Sequence, residues 1–152
     1  MDKYVFLFLT AAYGIHIAEE FFLDFRSWVA RVTGFRIEWR EFAIANTVVI
    51  AIGVAASFIG FSIPMLSYLF VGLAVVNGVV AHLATTIIKR RFSPGLISSI
   101  VLFVPLGVWA YYIAAQRGIL TITLFSVSLI GGFAIMCVPI IRAKLLRDAK
   151  KQ

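Results

Sequence analysis

Three stretches of the chain, residues 42–61, 96–115 and 119–141, contain no formally charged side chain. As helices, each is long enough to cross a hydrocarbon core of roughly 30 Å. A fourth stretch, 63–88, carries only His82 among groups that charge near neutral pH, and residues 4–25 form a fifth apolar run. Five spans leave hardly enough of the 152 residues for a separate soluble domain. Composition agrees, since 14% of residues are charged and 62% are hydrophobic, whereas a soluble domain has about 25% charged residues. The expectation is an all-α, polytopic membrane bundle over residues 1–152, with five transmembrane helices near 4–25, 42–61, 63–88, 96–115 and 119–141.

The first run is read as a retained helix and not as a signal peptide. Its start, Met1-Asp2-Lys3, is nearly neutral, and Glu19, Glu20 and Asp24 interrupt the apolar segment. Gly60, Ser62 and Pro64 mark a short turn between the second and third spans, and Gln116-Arg117-Gly118 one between the fourth and fifth. Ser93-Pro94 reads as the N-cap and first-turn proline of the fourth helix. The lone Cys137 suggests no disulfide and reads as packing.

Charge sets an expected orientation. Arg26, Arg31, Arg36 and Arg40 precede the second span, Lys89, Arg90 and Arg91 follow the third, and Arg142, Lys144, Arg147, Lys150 and Lys151 follow the fifth. With five spans these twelve fall on one side, against Lys3 and Arg117 on the other. The positive-inside rule then places the N-terminus outside and the C-terminus in the cytoplasm of a cell (inner) membrane protein. The net charge of +7 follows from that asymmetry and from attraction to anionic headgroups, without nucleic acid. Ser98, Ser99, Gly107, Gly131 and Gly132 favour close helix approach. Trp28, Trp39, Trp109, Tyr111 and Tyr112 sit where aromatic belts form.

The first span carries His16, Glu19 and Glu20 at helical offsets of three and four, so they share one face, which Asp24 extends. Ionised carboxylates in hydrocarbon are costly and demand an interior position, water or a cation. Glu20, His82 and Asn46 each lie about 9–11 Å from the cytoplasmic end of their spans at 1.5 Å per residue, which implies one polar cluster at one level. Two histidines and nearby carboxylates have the ligand chemistry of a divalent metal ion, zinc first, with iron or manganese as alternatives. His16, Glu20, His82 and Glu41 are the candidate ligands. Glu19, Asn77 and Asn46 are the candidate catalytic groups, Glu19 as a base and the amides to orient a ligand or bond to substrate. Each also has a plain structural reading. His16 can cap a buried carboxylate network, His82 can bond to a backbone carbonyl, and the asparagines can join helices.

These residues resemble the HXXEE-domain family of small prokaryotic membrane proteins. His16-Ile17-Ala18-Glu19-Glu20 reproduces its motif, and the likeness continues through Trp28, Thr33-Gly34, Glu41, Asn46, Asn77, His82 and Arg90-Arg91-Phe92-Ser93-Pro94-Gly95. Phe92 stands where the family often has tyrosine, which removes a hydroxyl. The resemblance implies that His16, Glu19, Glu20, Asn77 and His82 act together, and it supplies no substrate.

The function expected from these features is a metal-dependent membrane enzyme. It would hydrolyse a lipid or hydrophobic small molecule by metal-activated water from the cytoplasmic half of the bilayer. The alternatives are a proton- or metal-ion-handling transporter and a non-catalytic assembly protein. Against transport, the extracellular halves of the spans offer no titratable path. A homodimer is compatible with five short helices but nothing in the sequence requires it.

Overall fold

The computed structural model of the chain describes residues 4–34 and 36–149, with side chains through Arg142. Every regular element among these residues is helical. In chain order they are α1 (Val5–Phe22), α2 (Phe25–Thr33), α3 (Trp39–Ile59), α4 (Pro64–Lys89), α5 (Leu96–Gln116) and α6 (Ile122–Ala149). All except α2 are long and apolar enough to cross a membrane, through Arg142 in α6. Large apolar side chains such as Phe22, Phe58 and Ile122 are 80–87% exposed, a surface suited to lipid and not to water. Lys3, Lys150 and Lys151, with the side chains of Lys144 and Arg147, lie outside the described residues.

The first span is shorter than its composition suggests. α1 ends at Phe22, and the chain breaks at Leu23–Asp24 before α2. Asp24 adopts φ 51°, and its carboxylate accepts the Ser27 N–H. The Ser27 side chain and N–H hold that carboxyl below its ordinary range. Gly34, at φ 74°, closes the helix by donating its N–H to the Ala30 carbonyl. The basic stretch between the first two spans therefore contains a helix, bracketed by a capping Asp and a terminal Gly. Trp28 is buried on it and does not belong to an aromatic belt.

α3 opens with a reciprocal capping box between Glu38 and Glu41. The Arg26 Nε–H donates to the Ile37 carbonyl, and its guanidinium lies 4.1 Å above the Trp39 ring, tying α2 to that start. The turns at Gly60 and Gly118 both use positive φ, 56° and 67°, as the sequence indicated.

α4 is the central helix, packing on α1, α3, α5 and most extensively on α6. Glycine makes that last contact close. A Cβ on Gly132 would come within 2.7 Å of the Leu73 Cα, and one on Gly72 would overlap the Ser128 backbone. Without hydrophobic drive between helices in lipid, such close packing carries the association. Gly132→Ala is expected to cost about 2 kcal/mol in reversible unfolding. Gly14→Ala, whose added Cβ meets nothing within 4 Å, should cost nothing, and equal effects would refute the close-contact explanation.

In the half of the bundle remote from His16 and His82, several hydroxyls are bonded within the fold. Thr10 bonds to Phe6, Ser57 to Gly53 and Ser67 to Gly60. Tyr68 bonds to Ala110, and Tyr111 to Ser128.

Candidate metal centre

His16 and Glu20 lie one helical turn apart on the buried face of α1, 1% and 6% exposed. His82 and Asn77 come from α4, where residues Asn77–Ala84 are wound as a π-helix. The winding matters. Residues five apart in an α-helix point about 140° apart, whereas the wider i→i+5 turn stacks them. Asn77 and His82 thereby reach the same site. α5 also contains a π-helical segment, Ser99–Phe103, one turn from its start, packed against the first, and Gly78 permits the approach: a Cβ there would come 3.2 Å from that of Ser99.

Three donor atoms converge. Glu20 Oε1 is 3.6 Å from His16 Nε2 and 3.6 Å from His82 Nε2, and one ligand atom from each residue lies within 4.8 Å of the others. These separations are too long for hydrogen bonds. They approach the edge of a tetrahedron with metal–ligand bonds of 2.0–2.1 Å, roughly 3.3 Å. His82 Nε2 is buried and has no hydrogen-bond partner. Among the described residues no lysine or arginine pairs with Glu20, and an uncompensated buried carboxylate costs several kcal/mol.

The opposite ring nitrogens are held. His16 Nδ1 lies 2.9 Å from Ser98 Oγ, and His82 Nδ1 lies 3.1 Å from Ser93 Oγ. The Ser98 hydroxyl donates to Glu19 Oε2, so it accepts the His16 Nδ1 proton and leaves Nε2 with its lone pair. The Asn77 amide, 3.2 Å from that Nε2, donates to it. Outer partners of this type fix a ligand's tautomer and raise its basicity. Tyr13, Phe25 and Phe103 surround the imidazoles with ring centroids 4.7–5.6 Å away.

Gly95 completes the enclosure. At φ 94°, its Cβ would stand 2.6 Å from His82 Cε1 and 2.7 Å from His16 Cε1. The N-cap of α5 is Gly95 and not Ser93, because Ser93 is fully buried beside His82. Gly95 has no side chain to accept the first N–H groups of α5, and Glu19 does so from α1. Its Oε1 accepts from Gly95 and Ile97, and its Oε2 from the Ser98 N–H and hydroxyl. Four donors saturate Glu19, so it clamps a helix N-terminus and is not free to act as a base.

Of the residues singled out in the sequence, the fold gathers His16, Glu20, His82 and Asn77, with Glu19 beside them. Glu41 does not join the three converging groups, because its carboxylate accepts the Glu38 N–H in the capping box. Asn46 also stands apart: its amide donates to the Phe42 carbonyl, and it lines an apolar groove between α1 and α3. Matched depth along three helices placed it at the right level, but depth says nothing of rotation about the helix axis. Ser93, Gly95 and Ser98 are additional site residues. Their signal, a Ser-Pro-Gly turn with a further serine three residues on, is equally that of an ordinary helix start.

A family model described as a protein of unknown function with HXXEE motif matches residues 7–110. The match takes in every residue of the site and ends within α5. No curated protein and no solved structure matches the chain.

Proposed function

The chain belongs to the HXXEE family, and we propose that it is an inner-membrane enzyme with a divalent metal held by His16, Glu20 and His82. Its reaction is hydrolysis of a lipid or hydrophobic small molecule, reached from the cytoplasmic half of the bilayer with the N-terminus outside. The observation that carries this reading is the convergence of two imidazole Nε2 atoms on one buried carboxylate oxygen, with His82 Nε2 unpartnered. Two histidines and a carboxylate are a known ligand set of catalytic zinc with a position left open. The same set suits iron(II), so metal identity is part of the test.

The motif divides its work between its members. His16 and the second glutamate, Glu20, are ligands, while the first, Glu19, fixes the start of α5 and orients His16 through Ser98. Asn77 guards the His16 lone pair and yields it when an ion binds. Tyr13, Phe25 and Phe103 pack against the two imidazoles and hold their ring planes in place. A divalent ion held by His16, Glu20 and His82 would supply Lewis acidity and lower the pKa of a bound water, the chemistry that hydrolysis of an ester, amide or phosphoester bond needs. An enzyme is favoured over a transporter because, among the described residues, the remote half of the bundle holds no carboxylate or imidazole, and its buried hydroxyls at Thr10, Ser67 and Ser128 are bonded within the bundle.

Metal content of detergent-purified protein, measured by inductively coupled plasma mass spectrometry, tests the reading. Near-stoichiometric zinc or iron is expected in the wild type and its loss in His82→Ala and Glu20→Gln variants that still elute as folded protein. No metal in the wild type after reconstitution with zinc, iron or manganese would sink it.

A further inference from the structure

The geometry points to a second ligand site: we propose that the groove between α1 and α3 binds a single-chain anionic phospholipid with a free hydroxyl beside its ester. The groove is open along one side, has a volume of about 410 Å³, and is walled by Ile17 and Phe21 of α1 and by Trp39, Phe42 and Ile50 of α3. That volume lies within the range of small-molecule sites, roughly 300–1,000 Å³. Its walls are apolar, but Asn46 and Thr47 also line it. The Asn46 Nδ2 is used by the Phe42 carbonyl, while Asn46 Oδ1 and the Thr47 hydroxyl have no hydrogen-bond partner among the described residues. An unsatisfied amide oxygen facing hydrocarbon is costly, so the groove requires a donor from its occupant.

The level of that donor is set by the helix. Asn46 lies seven residues past Trp39, about 10 Å below the start of α3 at 1.5 Å per residue. A chain along Ile17 and Ile50 puts the glycerol hydroxyl at this depth and the phosphate at the mouth. Arg36 and Arg40, close in sequence to the groove residue Trp39 at the start of α3, are exposed and make no ion pair among the described residues, while Arg26 is committed to Ile37 and Trp39. The groove on the other flank of α1 is similar in size, about 390 Å³, but its polar residues Glu19 and Ser98 are bonded to each other and call for no ligand donor.

This site is separate from the metal centre, and its test reads lipid binding. Native mass spectrometry would titrate the full chain with palmitoyl lysophosphatidic acid and with the deoxy analogue lacking the glycerol hydroxyl. Wild type should bind the hydroxyl lipid about tenfold tighter, the worth of one hydrogen bond in an apolar site. Asn46→Leu, an apolar change on a lipid-facing wall, should erase that preference and leave metal content at the wild-type level. Arg36→Gln with Arg40→Gln should weaken both lipids alike. Equal affinity of the two lipids for wild type, or a preference that survives in Asn46→Leu, would overturn the assignment.

Discussion

Glu19→Gln is expected to destabilise the folded protein by about 3 kcal/mol, roughly two charge-assisted hydrogen bonds at 1.5–3 kcal/mol each. The glutamine oxygen can retain the Gly95 and Ile97 N–H groups, but its NH₂ then meets the Ser98 N–H donor against donor and forces the Ser98 hydroxyl to turn from donor to acceptor. The start of α5 loses its cap, and the Ser98 hydroxyl loses the acceptor that orients it towards His16. Glu41→Gln is the comparison, because that carboxylate accepts a single exposed backbone N–H and its replacement should cost no more than about 1 kcal/mol. Equilibrium unfolding of the two variants in one detergent decides the matter. A Glu19→Gln variant as stable as Glu41→Gln would show that the clamp does not hold α5.

Gly95→Ala should destabilise the fold and, if the proposed metal site is occupied, empty it. The methyl group would enter the space of both imidazoles, and crowding of a packed site costs about 1–3 kcal/mol. A non-glycine residue at φ 94° adds about 1–3 kcal/mol of backbone strain. Gly34→Ala and Gly118→Ala separate these contributions, since both positions have positive φ and open space around the added Cβ. They should show strain alone and keep their metal. Displaced ligands should lower metal affinity at least 10–100-fold in Gly95→Ala, the range seen when outer partners are lost. Competition with a chelator of known affinity measures it, and wild-type affinity in Gly95→Ala would refute the contact.

The site was legible where chemistry and helical periodicity act within one segment. His16 and Glu20 share a face because they are four residues apart, and a polar pair in an apolar helix must turn inward. His82 was recognisable by its depth below Lys89. The clamp made by Glu19 was not legible because an unoccupied carboxylate and a saturated one look alike in a sequence, and its donors come from residues 95–98. Asn46 was misplaced because its level was right while its azimuth depends on how α3 rotates against α1. The π-helical winding that unites Asn77 with His82 has no counterpart in apolar periodicity.

The sequence by itself determined that this chain is a set of helices long and apolar enough to cross a membrane, because uncharged runs of sufficient length have few other stable environments. It also determined where most of those helices turn, because Gly, Pro and charge interrupt hydrocarbon-compatible segments. Only the tertiary structure decided which polar groups meet. Convergence of His16, Glu20 and His82 depends on helix rotation, on glycine contacts that seat α4 against its neighbours, and on a turn whose Gly95 leaves room for two rings. Those are distances between segments far apart in the chain, and local propensity does not encode them.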